Sequence, residues 1–497
     1  MFYVSTRGSV TTEARLGSAD AIKIGLCADG GLFMPETVPH MDMDEIAALA
    51  NASYPARAEA IIGKFLTDYP TELLHAYCED AYSEARFKGG AAPLHQLDDT
   101  TSVLELWHGP TCAFKDMALQ LMPKLLSGAL KLTGEKRTAF ILVATSGDTG
   151  KAALEGYRDV DGVKIMVYYP VDGVSKMQKL QMATQEGENV TVCAIRGNFD
   201  DAQSGVKAIF SDAECANALA KEGCFFSSAN SINWGRLVPQ IAYYFSAYCD
   251  LLKNGKIKAG EQINVCVPTG NFGNIFAAYL AKEMGLPIKR LLCASNSNNI
   301  LTDFLTTGTY DRNRAFYTTM SPSMDILISS NLERLLYCKA GAAATKGYME
   351  SLAKTGAYTV DEALKNEIKA DFRGYFCDEK GTADVIKRTF EEKHYLIDPH
   401  TAVAVSAVEQ YLKETGDTET KMIVDSTASP YKFASNVYRS LTGSAPEDEF
   451  DALTALSAYS GTEIPAPLAS LKAKAVRFDR VIDACDMPAE TLSAARK

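Results

Sequence analysis

One pattern occurs twice and narrows the folds open to this chain: an apolar strand-like run enters a glycine-rich turn and leaves as a helix. Residues 137–154 read RTAFILVATSGDTGKAAL, where Ala139 to Ala144 runs into Ser146, Gly147, Asp148, Thr149 and Gly150. Residues 262–280 read QINVCVPTGNFGNIFAAYL, where Val265 to Val267 runs into Thr269, Gly270, Asn271, Phe272, Gly273 and Asn274. Each unit points free backbone N–H groups and a helix dipole at one spot, the arrangement that cradles an anion. Further strand-like runs at Ile165 to Tyr168, Val190 to Ile195, and around Leu291 and Met422 alternate with helical segments. That alternation implies parallel sheets with helices on both faces. Ligands in such sheets bind beyond the strand C-terminal ends, so the two glycine turns are expected to face each other across a cleft.

A third segment, LELWHGPTCAFKDMALQ at 104–120, ends a strand-like run, turns at His108-Gly109-Pro110-Thr111 and starts a helix just after Lys115. The positive end of a helix dipole disfavours an ammonium, leaving a neutral amine able to form a Schiff base with a carbonyl cofactor. Alone, such a lysine reads better as a first-turn side chain snorkelling to water. Combined with two anion cradles it matches a pyridoxal 5'-phosphate enzyme, which needs a Schiff-base lysine, a cofactor-phosphate cradle and a site for the substrate carboxylate. Two other phosphate chemistries fail on detail. A P-loop needs glycine five positions before Gly150 and Ser or Thr after Lys151, but Thr145 and Ala152 stand there. GNFGN is not the dinucleotide-binding G-x-G-x-x-G.

The 497 residues suffice for two or three well-buried domains. A net charge of -12 disfavours a nucleic-acid binder, and no apolar stretch reaches membrane-spanning length. The N-terminus MFYVSTRGSV has no signal-peptide apolar core. Twelve cysteines without a C-x-x-C pair read as free thiols in a reducing cytoplasm, and six unpaired histidines offer no metal site. His108 is open to two readings, chemistry beside Lys115 or merely shaping the turn. The expected organisation is a mainly helical region at 1–94, with helices near Asp44 to Leu49 and Ala58 to Leu66. A first α/β lobe covers 110–232, a second covers 95–109 and 233–440, and a loop-rich, then helical, tail covers 441–497.

HGPTCAFKD, SGDTG, PTGNFGN, SSANSINWGR and STASPYKF together resemble threonine synthase, a family with the tryptophan-synthase-β (fold type II) pyridoxal-phosphate architecture of two α/β lobes. YVSTRG at 3–8, GLFMP at 31–35, SPSMDI at 321–326, SNLER at 330–334 and DPHTAV at 398–403 match further landmarks in order along nearly the whole chain. The resemblance implies conversion of O-phospho-L-homoserine and water to L-threonine and phosphate by a cytoplasmic monomer or homodimer. The nearest rival is a related pyridoxal-phosphate dehydratase or phospholyase, and a noncatalytic relative is the alternative of another class.

The resemblance also implies roles. Lys115 holds the cofactor as a Schiff base and then moves protons. Gly270, Asn271, Phe272, Gly273 and Asn274 wrap the cofactor phosphate through backbone N–H groups. Thr427 partners the pyridine nitrogen, with Ser426 the adjacent alternative. Ser146, Gly147, Thr149 and Gly150 line the substrate carboxylate side. Asp148 stands where related enzymes place asparagine against the cofactor O3', so it must be protonated, turned away or compensated by the protonated Schiff base. Arg236, Lys151 and Lys432 are the cations considered for the substrate phosphate, with Arg236 preferred for its place inside NSINWGR. Ser429 and Tyr431 depart from the histidine and alanine common in the family. No effector motif is recognisable.

Overall fold

The computed structural model describes residues 1–8, 16–145, 147–172 and 174–496. With strands numbered along the chain, the N-terminal region opens on an antiparallel pair, β1 (Tyr3–Ser5) and β2 (Phe33–Pro35). Helices Ser18–Ile24, Met43–Ala48, Tyr54–Gly63 and Thr71–Ala81 make up most of the rest. The region is tied inward by Arg57, which donates to the Ser246 hydroxyl at 2.9 Å and pairs with Asp250 at 2.7 Å. Trp234, fully buried, packs edge-on against Tyr3 and Phe65.

The larger sheet contains β3 (Leu94–Gln96), β4 (Thr101–Glu105), β9 (Ile263–Pro268), β10 (Ile288–Ser295), β13 (Phe372–Phe376) and β14 (Lys421–Ser426). Its order is β13-β10-β9-β14-β4-β3, parallel throughout except for the edge pair β3–β4. Every residue of β9, INVCVP, is buried, as a strand covered on both faces requires. The smaller sheet holds β5 (Thr138–Ala144), β6 (Val163–Pro170), β7 (Val190–Arg196), β8 (Cys224–Ser227) and β15 (Val481–Asp483), in the order β15-β7-β6-β5-β8 and all parallel. A second small antiparallel pair joins β11 (Thr309–Asp311) to β12 (Ala357–Thr359).

β15 lies in a segment whose sequence reads as loop and helix. Three residues are too few to show a period, and the strand exists because the edge of β7 is there to pair with. The helix Met487–Arg496 then lies over the smaller sheet, where the Tyr168 hydroxyl donates to the Met487 carbonyl at 2.9 Å. Among the described residues, no helix is long and apolar enough to cross a membrane.

Candidate active site

The C-terminal ends of β4, β9, β14 and β5 converge on Lys115. After β4 the chain turns through 108–111. This turn is shaped by Asp116, whose carboxylate accepts from the Thr111 N–H and hydroxyl, both at 2.8 Å. A Cβ at Gly109 would lie 2.5 Å from the same carboxylate. His108 instead bonds Glu105 at 2.7 Å and stacks on Trp107, contacts that do not involve Lys115. A short bridge pairs Ala113 with Ala428, and the Phe114 N–H donates to the Thr427 carbonyl at 2.8 Å, which fixes Lys115 beside Thr427. Among the described residues, the Thr427 hydroxyl has no protein partner, although the residue is buried.

Burial pushes the Lys115 ammonium down to about 8, with Asp148 opposing and Arg236 and Lys432 adding to the drop. The expected cause, a helix dipole, is secondary: the helix Lys115–Leu119 has only five residues. Lys115 Nζ lies 3.4 Å from Ser323 Oγ and 4.0 Å from Asp148 Oδ2.

Asp148 opens the helix Asp148–Tyr157 after β5. Burial alone would raise its carboxyl. Lys432, 2.6 Å away, together with Lys115 and a 3.0 Å bond from Gln178, holds it well below the usual carboxylate range. The sequence offered a protonated Schiff base as the compensating charge; the cation that faces Asp148 here is Lys432, a partner it did not suggest. Lys432 is therefore occupied, and so is Lys151, which pairs with Glu155 at 3.0 Å. Gly147, Thr149 and Gly150 lie in the same turn, where the Gly147 and Gly150 N–H groups donate to Thr145 Oγ1 at 3.0 and 2.9 Å. Ser146 lies outside the described residues.

Arg236 stands in the first turn of the helix Trp234–Lys253. Its guanidinium is buried, donates to the Ala229 carbonyl at 3.0 Å, and among the described residues has no carboxylate partner. Burial lowers it to about 10.

The second glycine turn follows β9. Phe272 takes φ +63°, and the helix Gly273–Glu283 begins at once. The N–H groups of Gly270, Asn271, Phe272, Gly273 and Asn274 donate to no other described residue, as at the open end of a helix. A Cβ on Gly270 would lie 2.5 Å from the Ser323 carbonyl oxygen. The Asn274 side chain is turned beneath the turn, to Tyr243, to Tyr244 at 2.7 Å and to Asp425 at 3.0 Å, so only its backbone faces the cradle. From behind, Asn331 donates through its N–H and Nδ2 to the Asn271 carbonyl, both at 3.0 Å, and Ser329 donates to the Gly270 carbonyl at 2.7 Å.

A buried lysine with a depressed pKa, an open N–H cradle that a side chain at Gly270 would crowd, and a free hydroxyl at Thr427 fit pyridoxal phosphate. Comparison with known proteins agrees. Residues 2–82 match the profile "Threonine synthase N terminus", 90–425 match "Pyridoxal-phosphate dependent enzyme", and 401–487 match "Threonine synthase, C-terminal". The chain belongs to the threonine synthase family. Its cofactor is pyridoxal 5'-phosphate, as in the PLP-bound threonine synthase structure from Brucella melitensis, 37% identical with a TM-score of 0.88 and 100% of both chains covered. The threonine synthase of Pseudomonas aeruginosa is 38% identical over 90% of this chain and 92% of its own. Human threonine synthase-like 1 is 39% identical over 85% of this chain, which spans only 58% of that relative's length.

Ser323, Asp398, His400, Gln178 and Asn331 belong to the site but carried no role in the sequence. Most stand inside or beside family landmarks, SPSMDI, SNLER and DPHTAV, and that was the available signal.

Proposed function

We propose that this chain is a threonine synthase that converts O-phospho-L-homoserine and water to L-threonine and phosphate. The observation that carries the proposal is Arg236, a buried cation without an anion among the described residues, close enough to Lys115 to lower its pKa. Leaving a buried guanidinium unpaired costs several kcal/mol, and a planar fork of donors suits a phosphate. A substrate phosphate at Arg236 removes that cost.

In this reading, Gly270 to Asn274 hold the cofactor phosphate on their N–H groups, and Thr427 donates its hydroxyl to the pyridine nitrogen. Asp148, kept ionised by Lys432, would face the cofactor's O3' when it is bound. Thr149 receives the substrate carboxylate at the start of its helix, beside Gly147, whose own N–H is held by Thr145. When bound, the pyridoxal group withdraws electrons from the amino acid and so acidifies its Cα–H and then its Cβ–H. Lys115 Nζ moves protons at those carbons, and a pKa near neutrality suits it to both taking and returning them. Arg236 holds the phosphate as it leaves Cγ, Cγ takes up a proton to become the methyl group, and water adds at Cβ, its oxygen becoming the hydroxyl and its proton replacing one removed earlier. We place the protein in the cytoplasm as a monomer or homodimer. Its twelve cysteines are all free, and only Cys338 and Cys485 are exposed, which fits a reducing compartment.

The test is product analysis with O-phosphohomoserine, where threonine and phosphate should form in equal amounts. In heavy-oxygen water the label should enter the threonine hydroxyl. Arg236→Ala should lower kcat/KM about 100-fold, the scale of one lost charged hydrogen-bond pair, with cofactor content unchanged. Release of 2-oxobutyrate and ammonia would assign the chain to the lyases that share Lys115 and both turns. Absence of any turnover with cofactor bound would support a noncatalytic relative.

A further inference from the structure

Ser323 lies in the turn Pro322–Met324, in a segment between the two halves of the site. Its hydroxyl accepts from Lys115 Nζ at 3.4 Å, and among the described residues that is its only partner. Its backbone is held from two sides. The Ser323 N–H donates to His400 Nε2 at 3.2 Å, so the imidazole must carry its proton on Nδ1. Nδ1 lies 2.6 Å from Asp398 Oδ2, which also accepts from the His400 N–H at 2.9 Å. Asp398 Oδ1 takes the Thr401 N–H at 3.1 Å and the Thr401 hydroxyl. Asp398 and His400 are both buried at the N-terminus of the helix Pro399–Thr415. On the other side, the Ser323 carbonyl packs into the space left by the missing side chain of Gly270.

We propose that Ser323 is a catalytic residue whose hydroxyl orients the Lys115 amine, and that Asp398 and His400 are the positioning residues that fix Ser323. The proposal rests on the reading of Lys115 as the reacting amine. A neutral amine has two N–H bonds and one lone pair. Anchoring one N–H on Ser323 Oγ leaves the amine free to swivel only about that bond, so the lone pair is directed instead of averaged over rotamers. A serine that only filled space would need neither a backbone acceptor locked in one tautomer nor a glycine opposite its carbonyl. The same turn touches the cofactor-phosphate cradle through Gly270, so the amine and the cradle are set to one common reference.

The experiment compares Ser323→Ala, Ser323→Thr, His400→Leu and His400→Gln in the full chain. Before cofactor is added, acylation of Lys115 by an amine reagent is followed against pH by peptide mapping. Other charges around this amine, Asp148, Asp116, Arg236 and Lys432, are unchanged in all four variants. Hydrogen bonding to the ammonium favours the charged form, so Ser323→Ala should move the labelling midpoint below the wild-type value. After cofactor is added, kcat should fall about tenfold or more with KM within twofold. His400→Leu should reproduce both changes. Ser323→Thr, which keeps the hydroxyl, and His400→Gln, whose Oε1 can accept the Ser323 N–H, should stay near wild type. An unchanged midpoint and kcat in Ser323→Ala overturns the proposal, and this small substitution decides the matter even if His400→Leu does not fold. If wild type makes no threonine while the Lys115 midpoint still shifts with Ser323→Ala, the reaction assignment falls and the Ser323 assignment stands.

Discussion

Asp148 and Lys432 are both buried and 2.6 Å apart, so each depends on the other for its charge. Removing one member of such a pair typically costs about 3–5 kcal/mol, because the remaining charge is stranded. Lys432→Met should therefore destabilise the protein strongly at pH 7, while Lys432→Met with Asp148→Asn recovers most of the loss. Denaturant titration of the four proteins checks this, and additive losses would contradict it. The pH dependence has a defined sign. The Asp148 carboxyl is depressed in the folded state, so its contribution is present above the unfolded value of about 4 and is lost as pH falls through the folded value. The gap between wild type and Lys432→Met should narrow as pH falls, beginning where the variant's Asp148, no longer held down by Lys432, takes up its proton. At Lys115, borohydride reduction of the holoenzyme should place the pyridoxyl label on this residue, and a label on another lysine would contradict the site.

At the scale of elements, the Gly273–Glu283 helix and the turn before it behave as one piece. Gly270→Ala places a Cβ against the Ser323 carbonyl, and backbone cannot yield as a side-chain tip can. Cofactor affinity should fall at least about tenfold with the far-UV spectrum unchanged, the scale of about 1.4 kcal/mol lost at the cradle. Gly273→Val is expected to be milder, since a first added carbon meets Asn331 Nδ2 at 3.3 Å. Beneath the same turn, burial raises the Asp425 carboxyl to about 7, and its Oδ1 has no partner among the described residues. A raised carboxyl means the folded state holds the proton longer, so stability should fall as pH rises from about 4 to about 7. Asp425→Asn keeps an acceptor for Tyr244 and Asn274 and should flatten that slope, which melting curves at pH 5 and pH 8 will show.

At the scale of the whole molecule, the chain's last segment belongs to the smaller sheet. Ending the chain before Val481 removes β15 and the helix Met487–Arg496, with the buried side chains of Ile482, Met487, Ala494 and Ala495. The area lost corresponds to about 5 kcal/mol. The truncated protein should melt earlier and expose the edge of β7, with aggregation visible by light scattering. Cofactor binding should survive better than turnover, since the phosphate cradle hangs from the larger sheet and Asp148 from the smaller one. A truncation with an unchanged melting temperature would show that the tail is not part of that sheet's core.

The α/β alternation, both glycine turns and Lys115 were legible along the chain because each is a local signal: period, turn chemistry and a strand-to-helix junction written within about twenty residues. Partners were not local. Asp148 meets Lys432 across two lobes, His400 reaches Ser323 across 77 residues of sequence, and Arg236 is distinguished by the carboxylate it lacks among the described residues. In sequence Arg236 was preferred over Lys151 and Lys432 only for its place inside NSINWGR, which says nothing of what pairs with each cation. Only packing decided that Glu155 and Asp148 had claimed the two lysines, since a buried charge acquires its role from what tertiary structure places within a few ångströms. The depressed pKa of Lys115 has the same origin. A residue type and a turn could nominate the amine, but its desolvation depends on elements that arrive from elsewhere in the chain.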